Sequence, residues 1–203
     1  MLQNGSLNNI YLCEIDMYPI ICIGGPTGAG KDTVVMEFLK RYPNYIRIPR
    51  TTTRKPRPHE IQGVHYYFLA ETIFDAHAAR GEICVIDHFC GHKYGIDMRK
   101  LSDGERSGKR IIGVFGVCAY GLCEVYEHGT LLVYITAPIA LLRQRLMERG
   151  DSREQIEERV LAAAKQLRDE PPRFDYVIEN TRSVTSAVNE LNRVISLATR
   201  SIA

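Results

Sequence analysis

"GGPTGAGKDT", the stretch from Gly24 to Thr33, has the G-x-x-x-x-G-K spacing of a phosphate-binding loop. Glycines let the backbone fold closely around phosphate oxygens, and a helix that starts at the loop offers them its free N–H groups. Such loops normally continue with Ser or Thr, whose hydroxyl holds a magnesium ion, whereas Asp32 stands at this position here. The stretch therefore predicts a nucleotide phosphate site with an altered metal ligand.

The residues on either side of this loop support the prediction. The apolar run YPIICIGG, residues 18–25, is typical of a strand buried on both faces of a parallel sheet. The run KDTVVMEFLKRYP, residues 31–43, places apolar side chains on one helical face and ends at a proline. A plain glycine turn is the other interpretation, but the order of strand, loop and helix favours phosphate binding.

The loop also predicts which residues contact ATP and its metal. Lys31 supplies a mobile cation for the outer phosphates. A carboxylate is an acceptable oxygen ligand for Mg²⁺, so Asp32 is predicted to replace the usual hydroxyl, with Thr33 beside it as the alternative. ATP and Mg²⁺ are therefore the expected cofactors. The predicted phosphate contacts are Gly25, Thr27, Gly28, Ala29, Gly30, Lys31, Asp32 and Thr33.

Strand and helix patterns alternate along most of the remaining chain. Continuous apolar runs at 110–117, 130–138 and 175–180 predict buried strands. Amphipathic patterns at 139–150, 152–170 and 183–200 predict helices, the first two of which are closed by Gly150 and Pro171. This alternation predicts a three-layer α/β fold with a parallel sheet.

The segment from about residue 49 to 96 interrupts the alternation. It starts with basic residues and prolines, and then predicts a strand at 63–69 and a short helix at 71–81. Ligands of open α/β sheets bind at the carboxyl ends of the strands, so an insertion at this point is expected to lie over the phosphate loop. Residues 1–17 are predicted to be a loosely ordered extension, and residues 18–203 to form one domain.

Composition indicates an ordinary soluble globular protein. The formal charge of +2 is too small to favour nucleic-acid or membrane binding by the whole chain. The cysteines show no C-x-x-C pair, which argues against zinc, and no signal peptide pattern is present, which predicts a cytoplasmic protein. The most apolar stretch, residues 111–123, is shorter than the roughly 20 residues that a membrane span needs.

The run RTTTRKPRPHEIQGVHYYF, residues 50–68, resembles the acceptor-binding segment of guanylate kinases, approximately S-x-T-T-R-x-P-R-x-G-E-x-x-G-x-x-Y-x-F. The phosphate loop before it, HKYGI after it, and the later runs RQRLMERG and FDYVIEN extend the resemblance over nearly the whole chain. The resemblance implies a P-loop kinase fold with an inserted acceptor-binding subdomain and a helical lid at about 143–160. It also implies transfer of the γ-phosphoryl group of ATP to a nucleoside monophosphate.

The resemblance assigns two groups of basic and phenolic side chains. Guanidinium groups bind phosphate oxygens in pairs, and phenols add uncharged donors, which suits a clamp on the acceptor phosphate. Cations that close over the moving phosphoryl group stabilise its transition state. For the clamp, the alternative interpretation is a solvated basic surface or a nucleic-acid patch. For the lid arginines it is an exposed helix face with i,i+4 ion pairs. The implied clamp is Arg54, Arg57, Tyr66 and Tyr94, and the implied catalytic residues are Lys31 and the lid arginines Arg145, Arg149 and Arg159.

The positions that read the base depart from the family pattern. Guanylate kinases usually place a Ser, a Glu and an Asp there, and an ungapped comparison puts Arg50, Val85 and Phe115 at these places, with Gly113 at a further Asp position. Apolar side chains at the acceptor site predict only a modest preference for GMP. The loop ending G-K-D is similar to that of ribose 1,5-bisphosphate phosphokinases, so a phosphorylated sugar or a modified nucleotide is an alternative acceptor. A catalytically inactive binding module is the alternative of another class.

Overall fold

The computed structural model describes residues 20–116, 118–126 and 129–200. The predicted extension at 1–17 lies outside this range. In chain order, the elements are β1 (Ile20–Gly24), α1 (Lys31–Arg41), β2 (Tyr45–Arg47), β3 (Thr51–Thr52), β4 (Tyr67–Phe68), α2 (Glu71–Ala79), β5 (Ile83–Phe89), β6 (His92–Asp97), α3 (Met98–Arg106), β7 (Arg110–Val114), α4 (Cys118–Val125), β8 (Thr130–Thr136), α5 (Ile139–Glu148), α6 (Arg153–Asp169), a 3-10 turn (Pro171–Arg173), β9 (Tyr176–Glu179) and α7 (Val184–Arg200).

The central sheet consists of five parallel strands in the order β2-β7-β1-β8-β9. Side chains of β1 alternate between two hydrophobic cores, one on each face. Ile21 and Ile23 lie in the core that includes α1 and α7, whereas Ile20 and Cys22 lie in the core that includes α3 and α4. Helices thus cover both faces, which confirms the predicted three-layer α/β fold with a parallel sheet.

The apolar stretch after residue 110 divides differently from the prediction. The sequence predicts a strand that continues to residue 117, but β7 ends at Val114 and α4 begins at Cys118. Gly116 has a φ of 61° and turns the chain between them. Helix α3 was not predicted from the sequence; it is short and mostly polar, and its buried residues are Leu101 and Gly104.

A second, mixed sheet follows β2 directly and has the order β4-β3-β6-β5. Strand β6 runs antiparallel to both β3 and β5, whereas β3 and β4 are parallel. The register between β5 and β6 shifts between Cys84 and Asp87, so that Asp87 lies opposite Tyr94. At this bulge Val85 adopts a φ of 52°, in the left-handed region that β-branched residues rarely occupy.

None of the helices in the described part of the chain is long and apolar enough to span a membrane.

Candidate active site

The glycine-rich loop leaves β1 and turns into α1 in a conformation that glycine makes possible. Gly25 has a φ of 127°, and a Cβ on this residue would lie 2.0 Å from the Ile135 carbonyl oxygen. Gly30 has a φ of 83° and precedes the first turn of α1 without a side-chain cap. The first N–H groups of α1 therefore have no capping side chain and are available to an anion.

Lys31 is the first residue of α1, and its ammonium group lies over the loop. Its Nζ donates a hydrogen bond to the Pro26 carbonyl oxygen at 2.7 Å. Burial lowers the pKa of Lys31 to about 8, although the nearby carboxylates of Asp32 and Glu170 oppose this shift. A buried cation that holds its proton weakly gains stability when phosphate oxygens come close.

Asp32 has a cationic partner that sequence reasoning did not find. Arg47, at the end of β2, donates from Nη2 to Asp32 Oδ1 at 2.5 Å and to the His65 carbonyl oxygen at 3.2 Å. The Arg47 side chain is only 7% exposed, whereas that of Asp32 is 42% exposed. Arg47 thus neutralises part of the carboxylate charge that would otherwise repel a polyphosphate.

Two residues with oxygen donors suited to a metal ion, Asp32 and Thr33, lie next to the phosphate-binding loop. Asp32 and Thr33 line the same cavity as Lys31. The described residues contain no group of three or more His, Cys, Asp or Glu side chains that would form a complete metal cage. Mg²⁺ commonly keeps several waters and takes one or two protein ligands together with substrate phosphates, so this donor set fits it.

A cavity of about 670 Å³ joins the loop to the second sheet. Ala29, Val85, Phe115 and Arg159 are not part of its wall. Ala29 is fully buried, and its carbonyl oxygen accepts a hydrogen bond from Asn180. The other predicted site residues line the cavity: Gly25, Thr27, Gly28, Gly30, Lys31, Asp32, Thr33, Arg50, Arg54, Arg57, Tyr66, Tyr94, Arg145 and Arg149.

Glu60 holds the two arginines of the predicted phosphate clamp. Arg54 donates to both of its carboxylate oxygens at 2.8 Å, and Arg57 donates from its backbone at 2.8 Å. Burial raises the pKa of Glu60, but hydrogen bonds from Arg54 and Arg57 outweigh it, so that the net pKa is lowered and Glu60 stays ionised. Burial raises the pKa of Tyr66, which keeps its phenol protonated and able to donate. The clamp therefore presents two guanidinium groups and a neutral donor in fixed positions.

The lid arginines have different partners. Arg145 donates to the Gly28 and Ala29 carbonyl oxygens at 3.3 Å and to the Asn180 carbonyl oxygen at 2.9 Å. Arg149 and Arg159 both bind the carboxylate of Asp151, which follows α5. Burial opposes ionisation of Asp151, yet these two arginines lower its pKa. Asp151 thus ties the end of α5 to α6.

Tyr94 and Asp87 are neighbours across two strands of the second sheet, and Arg50 lies directly before strand β3. Thr52 in β3 lies opposite Tyr94 in β6, which in turn lies opposite Asp87 in β5. The guanidinium group of Arg50 lies over the Tyr94 ring, 4.9 Å from its centroid, and donates to Asp87 Oδ1 at 2.5 Å. This charged pair, together with His88 and Gly116, forms part of the cavity wall.

Comparison with known proteins identifies the family. The family model described as "Guanylate kinase" matches residues 16–198. A guanylate kinase of Streptomyces coelicolor is 34% identical over 172 residues, which cover 83% of this chain and 86% of that protein. A guanylate kinase of Carboxydothermus hydrogenoformans is 30% identical, with 87% of each chain covered.

The chain belongs to the guanylate kinase family.

The fold agrees with this membership. The crystal structure of guanylate kinase from Anaplasma phagocytophilum superposes with a TM-score of 0.71 at 22% identity, covering 89% of this chain and 86% of that one. As a guanylate kinase family member, the chain is an enzyme that transfers a phosphoryl group from ATP to a nucleoside monophosphate.

In this guanylate kinase family member, two side chains that the sequence predicts at the acceptor site, Phe115 and Val85, are packed elsewhere. Phe115 is fully buried, and its ring packs against Gly113, where a Cβ would lie 2.2 Å from it. The bulge in β5 directs Val85 toward α4, where a Cβ on Gly121 would lie 2.5 Å from its side chain. Neither residue lines the cavity, so the structure does not bring these two apolar side chains to the predicted acceptor site.

The structure adds residues that sequence reasoning missed. Glu60 is part of the G-E pattern of the quoted segment, so a signal for it was present. Arg47 and Asp87 had no such signal, because each pairs with a residue distant in sequence. Asp151 pairs with Arg149 and Arg159, two and eight residues away, and no motif in the sequence marked it.

Proposed function

We propose that this enzyme phosphorylates GMP with ATP and Mg²⁺ and forms GDP and ADP. One observation supports this most: a single cavity contains both the phosphate-binding loop and the clamp of Arg54, Arg57, Tyr66 and Tyr94. The relatives named above are guanylate kinases, whereas none of them is a sugar-phosphate kinase or a binding module.

The reaction requires positioning and charge stabilisation more than proton transfer. An oxygen of the acceptor phosphate attacks the γ-phosphorus, and the bond to the β-phosphate oxygen breaks. The attacking oxygen is already an anion, so no general base is needed. The clamp holds this phosphate while Lys31 and the loop N–H groups hold the donor.

The charge that develops on the transferred group meets cations already in place. Arg145 and Arg149 line the same cavity as the phosphate-binding loop and the clamp. When bound, Mg²⁺ neutralises the phosphates of the donor, and Asp32 or Thr33 would hold it. Arg159 stays outside the wall and positions Asp151, which fixes Arg149. In this proposal residues 18–203 act as one domain, with an acceptor-binding insertion at about 49–96 and a lid at about 143–160.

A coupled assay of ADP and GDP formation tests the proposal. We expect ATP-dependent turnover of GMP that disappears in Lys31→Ala, while the melting temperature stays near that of the wild type. Lys40→Ala is the matched control, because Lys40 lies on the same helix, exposed and paired with Glu37. Absence of turnover with every nucleoside monophosphate in the folded wild type would overturn the proposal.

A further inference from the structure

The wall of the cavity next to the clamp carries a buried ion pair, Arg50 and Asp87, where the sequence predicts apolar side chains. The side chain of Arg50 is 8% exposed and that of Asp87 is 19% exposed. Burying two charges is costly, and their attraction offsets the cost only when further hydrogen bonds complete the pair. A ligand edge that carries both acceptors and donors would add hydrogen bonds to those that the pair already makes.

The pair lies next to the phosphate clamp. The Tyr94 ring under Arg50 lies 6.1 Å from the Tyr66 ring, and the Tyr66 ring lies 5.3 Å from the guanidinium carbon of Arg54. Tyr94 therefore connects the clamp to the charged pair within one cavity. A nucleotide held by its phosphate at the clamp presents its base to the neighbouring wall.

The hydrogen-bonding pattern of the pair matches one purine. Guanine offers acceptors at O6 and N7, which a guanidinium group binds, and donors at N1 and the 2-amino group, which a carboxylate binds. Adenine presents a donor at position 6 and an acceptor at N1. The amino donor at position 6 would face the N–H donors of Arg50, and the N1 acceptor would face the carboxylate acceptors of Asp87.

We propose that the Arg50–Asp87 pair is the element that selects the base, with Arg50 donating to O6 or N7 and Asp87 accepting from N1 and the 2-amino group. The inference rests on the proposed function and names the residues that give it specificity. Ion pairing between Arg50 and Asp87 holds both groups in position before the base arrives. A site built this way rejects a mismatched base strongly, because mispairing leaves buried polar groups unsatisfied.

The bulge in β5 explains why an ungapped sequence comparison does not find Asp87. Ungapped numbering selects Val85, and without the bulge Ile86 would stand opposite Tyr94. The extra residue at the bulge instead places Asp87 opposite Tyr94, on the side of the sheet that faces the cavity.

Base analogues test the proposal on the unaltered enzyme. IMP lacks the 2-amino group, and 2-aminopurine riboside 5′-monophosphate lacks O6. We expect each deletion to lower kcat/KM by about tenfold to a hundredfold relative to GMP, and AMP to fall further. Equal kcat/KM values for GMP and AMP in an active enzyme would overturn this inference while leaving the nucleotide kinase activity intact.

The substitution Asp87→Asn tests the carboxylate with a side chain of the same shape. Its carbonyl oxygen can still accept from Arg50, and its amide N–H then faces the C2 substituent of the base. GMP efficiency should fall about a hundredfold, and XMP, which carries a C2 carbonyl, should gain, so that the GMP-to-XMP preference reverses. Binding of GMP by calorimetry should weaken in parallel.

The control is Asp75→Asn in the same subdomain. Asp75 is 52% exposed, pairs with Lys93 and does not line the cavity, so its substitution should leave base preference unchanged. If Asp87→Asn keeps the wild-type preference for GMP over XMP, Asp87 does not read the base. Absence of turnover with any acceptor in the wild type would instead refute the proposed function itself.

Discussion

Lys31 is a cation in surroundings that favour its neutral form. Its pKa of about 8 means that much of the ammonium charge is lost in mildly alkaline solution when no nucleotide is bound. Bound phosphates stabilise the protonated form, so binding above this pKa must take up a proton.

We therefore expect the affinity for a non-hydrolysable ATP analogue to fall above pH 8, by up to about tenfold per pH unit. The substitution Lys31→Arg should flatten this dependence, because an arginine keeps its charge throughout the range. Calorimetric titrations between pH 7 and pH 9.5 measure both. A wild-type affinity that stays constant over that range would refute the role given to the Lys31 charge.

Asp32 has a structural partner in addition to its proposed metal role. Its removal would leave the largely buried guanidinium of Arg47 without its carboxylate. We expect Asp32→Ser to lower the free energy of unfolding by about 1–3 kcal/mol, although serine restores the usual hydroxyl ligand. The double variant Asp32→Ser/Arg47→Met should recover most of this loss and keep Mg²⁺-dependent turnover.

Urea denaturation of the single and double variants gives the comparison. Equal stability of Asp32→Ser and the wild type would show that the ion pair contributes nothing. Loss of all turnover in a folded double variant would contradict the interchange of carboxylate and hydroxyl at position 32.

At the scale of elements, α5 positions two arginines of the lid. Arg145 donates to backbone carbonyl oxygens, whereas Arg149 pairs with a carboxylate, so we expect different effects from their removal. Arg149 reaches the cavity from the end of α5 and is fixed by Asp151. We expect Arg149→Ala to lower kcat by about a hundredfold or more with a much smaller change in KM, because the contact forms mainly in the transition state. Arg145→Ala should also lower the melting temperature, because Arg145 binds three backbone carbonyl oxygens.

Steady-state kinetics with both substrates varied make this measurement. Arg168→Ala is the matched control, because Arg168 lies on α6, is 74% exposed and pairs with the adjacent Asp169. Equal losses in KM and kcat for Arg149→Ala would identify it as a ground-state phosphate contact.

At the end of β7, an aromatic ring packs against a glycine. In the ungapped comparison with the guanylate kinase pattern, Gly113 and Phe115 stand at carboxylate positions. The buried Phe115 ring occupies the space next to Gly113. We expect Gly113→Ala to destabilise the fold by about 1–3 kcal/mol through overpacking, and Phe115→Leu in the same chain to recover part of it. Thermal unfolding of the two variants checks this, and a Gly113→Ala protein as stable as the wild type would refute it.

At the scale of the whole molecule, positive charge is concentrated in the cavity. Six cationic side chains and three carboxylates line it, whereas the entire chain has a formal charge of only +2. Burial lowers the pKa of Arg57, and the cations of Arg149 and Arg54 lower it further. An anion that enters the cavity relieves this repulsion.

We expect pyrophosphate to raise the melting temperature of the free enzyme more than sodium chloride does at the same ionic strength, because it binds the native state specifically. When the enzyme is saturated with an ATP analogue, pyrophosphate and sodium chloride should change the melting temperature equally, because the analogue already occupies the phosphate site. Equal effects of the two salts would show that the cavity does not select polyphosphates.

The sequence by itself determined the fold class and predicted most of the polar residues that line the cavity. These signals are local: glycines at left-handed positions, an adjacent lysine, continuous apolar strands and arginines at fixed spacing. Residues such as Gly30, Lys31 and Arg54 therefore lie in the cavity wall where the pattern predicts them.

Only the tertiary structure decided which side chains of β5 face the cavity and which carboxylates hold the arginines. One extra residue in β5 reverses the side of the sheet that each following side chain occupies, so Asp87 faces the cavity while Val85 packs against α4. Arg47 meets Asp32 across two separate elements. Strand register and contacts between distant elements depend on the packing of the whole chain, and no short stretch of sequence specifies them.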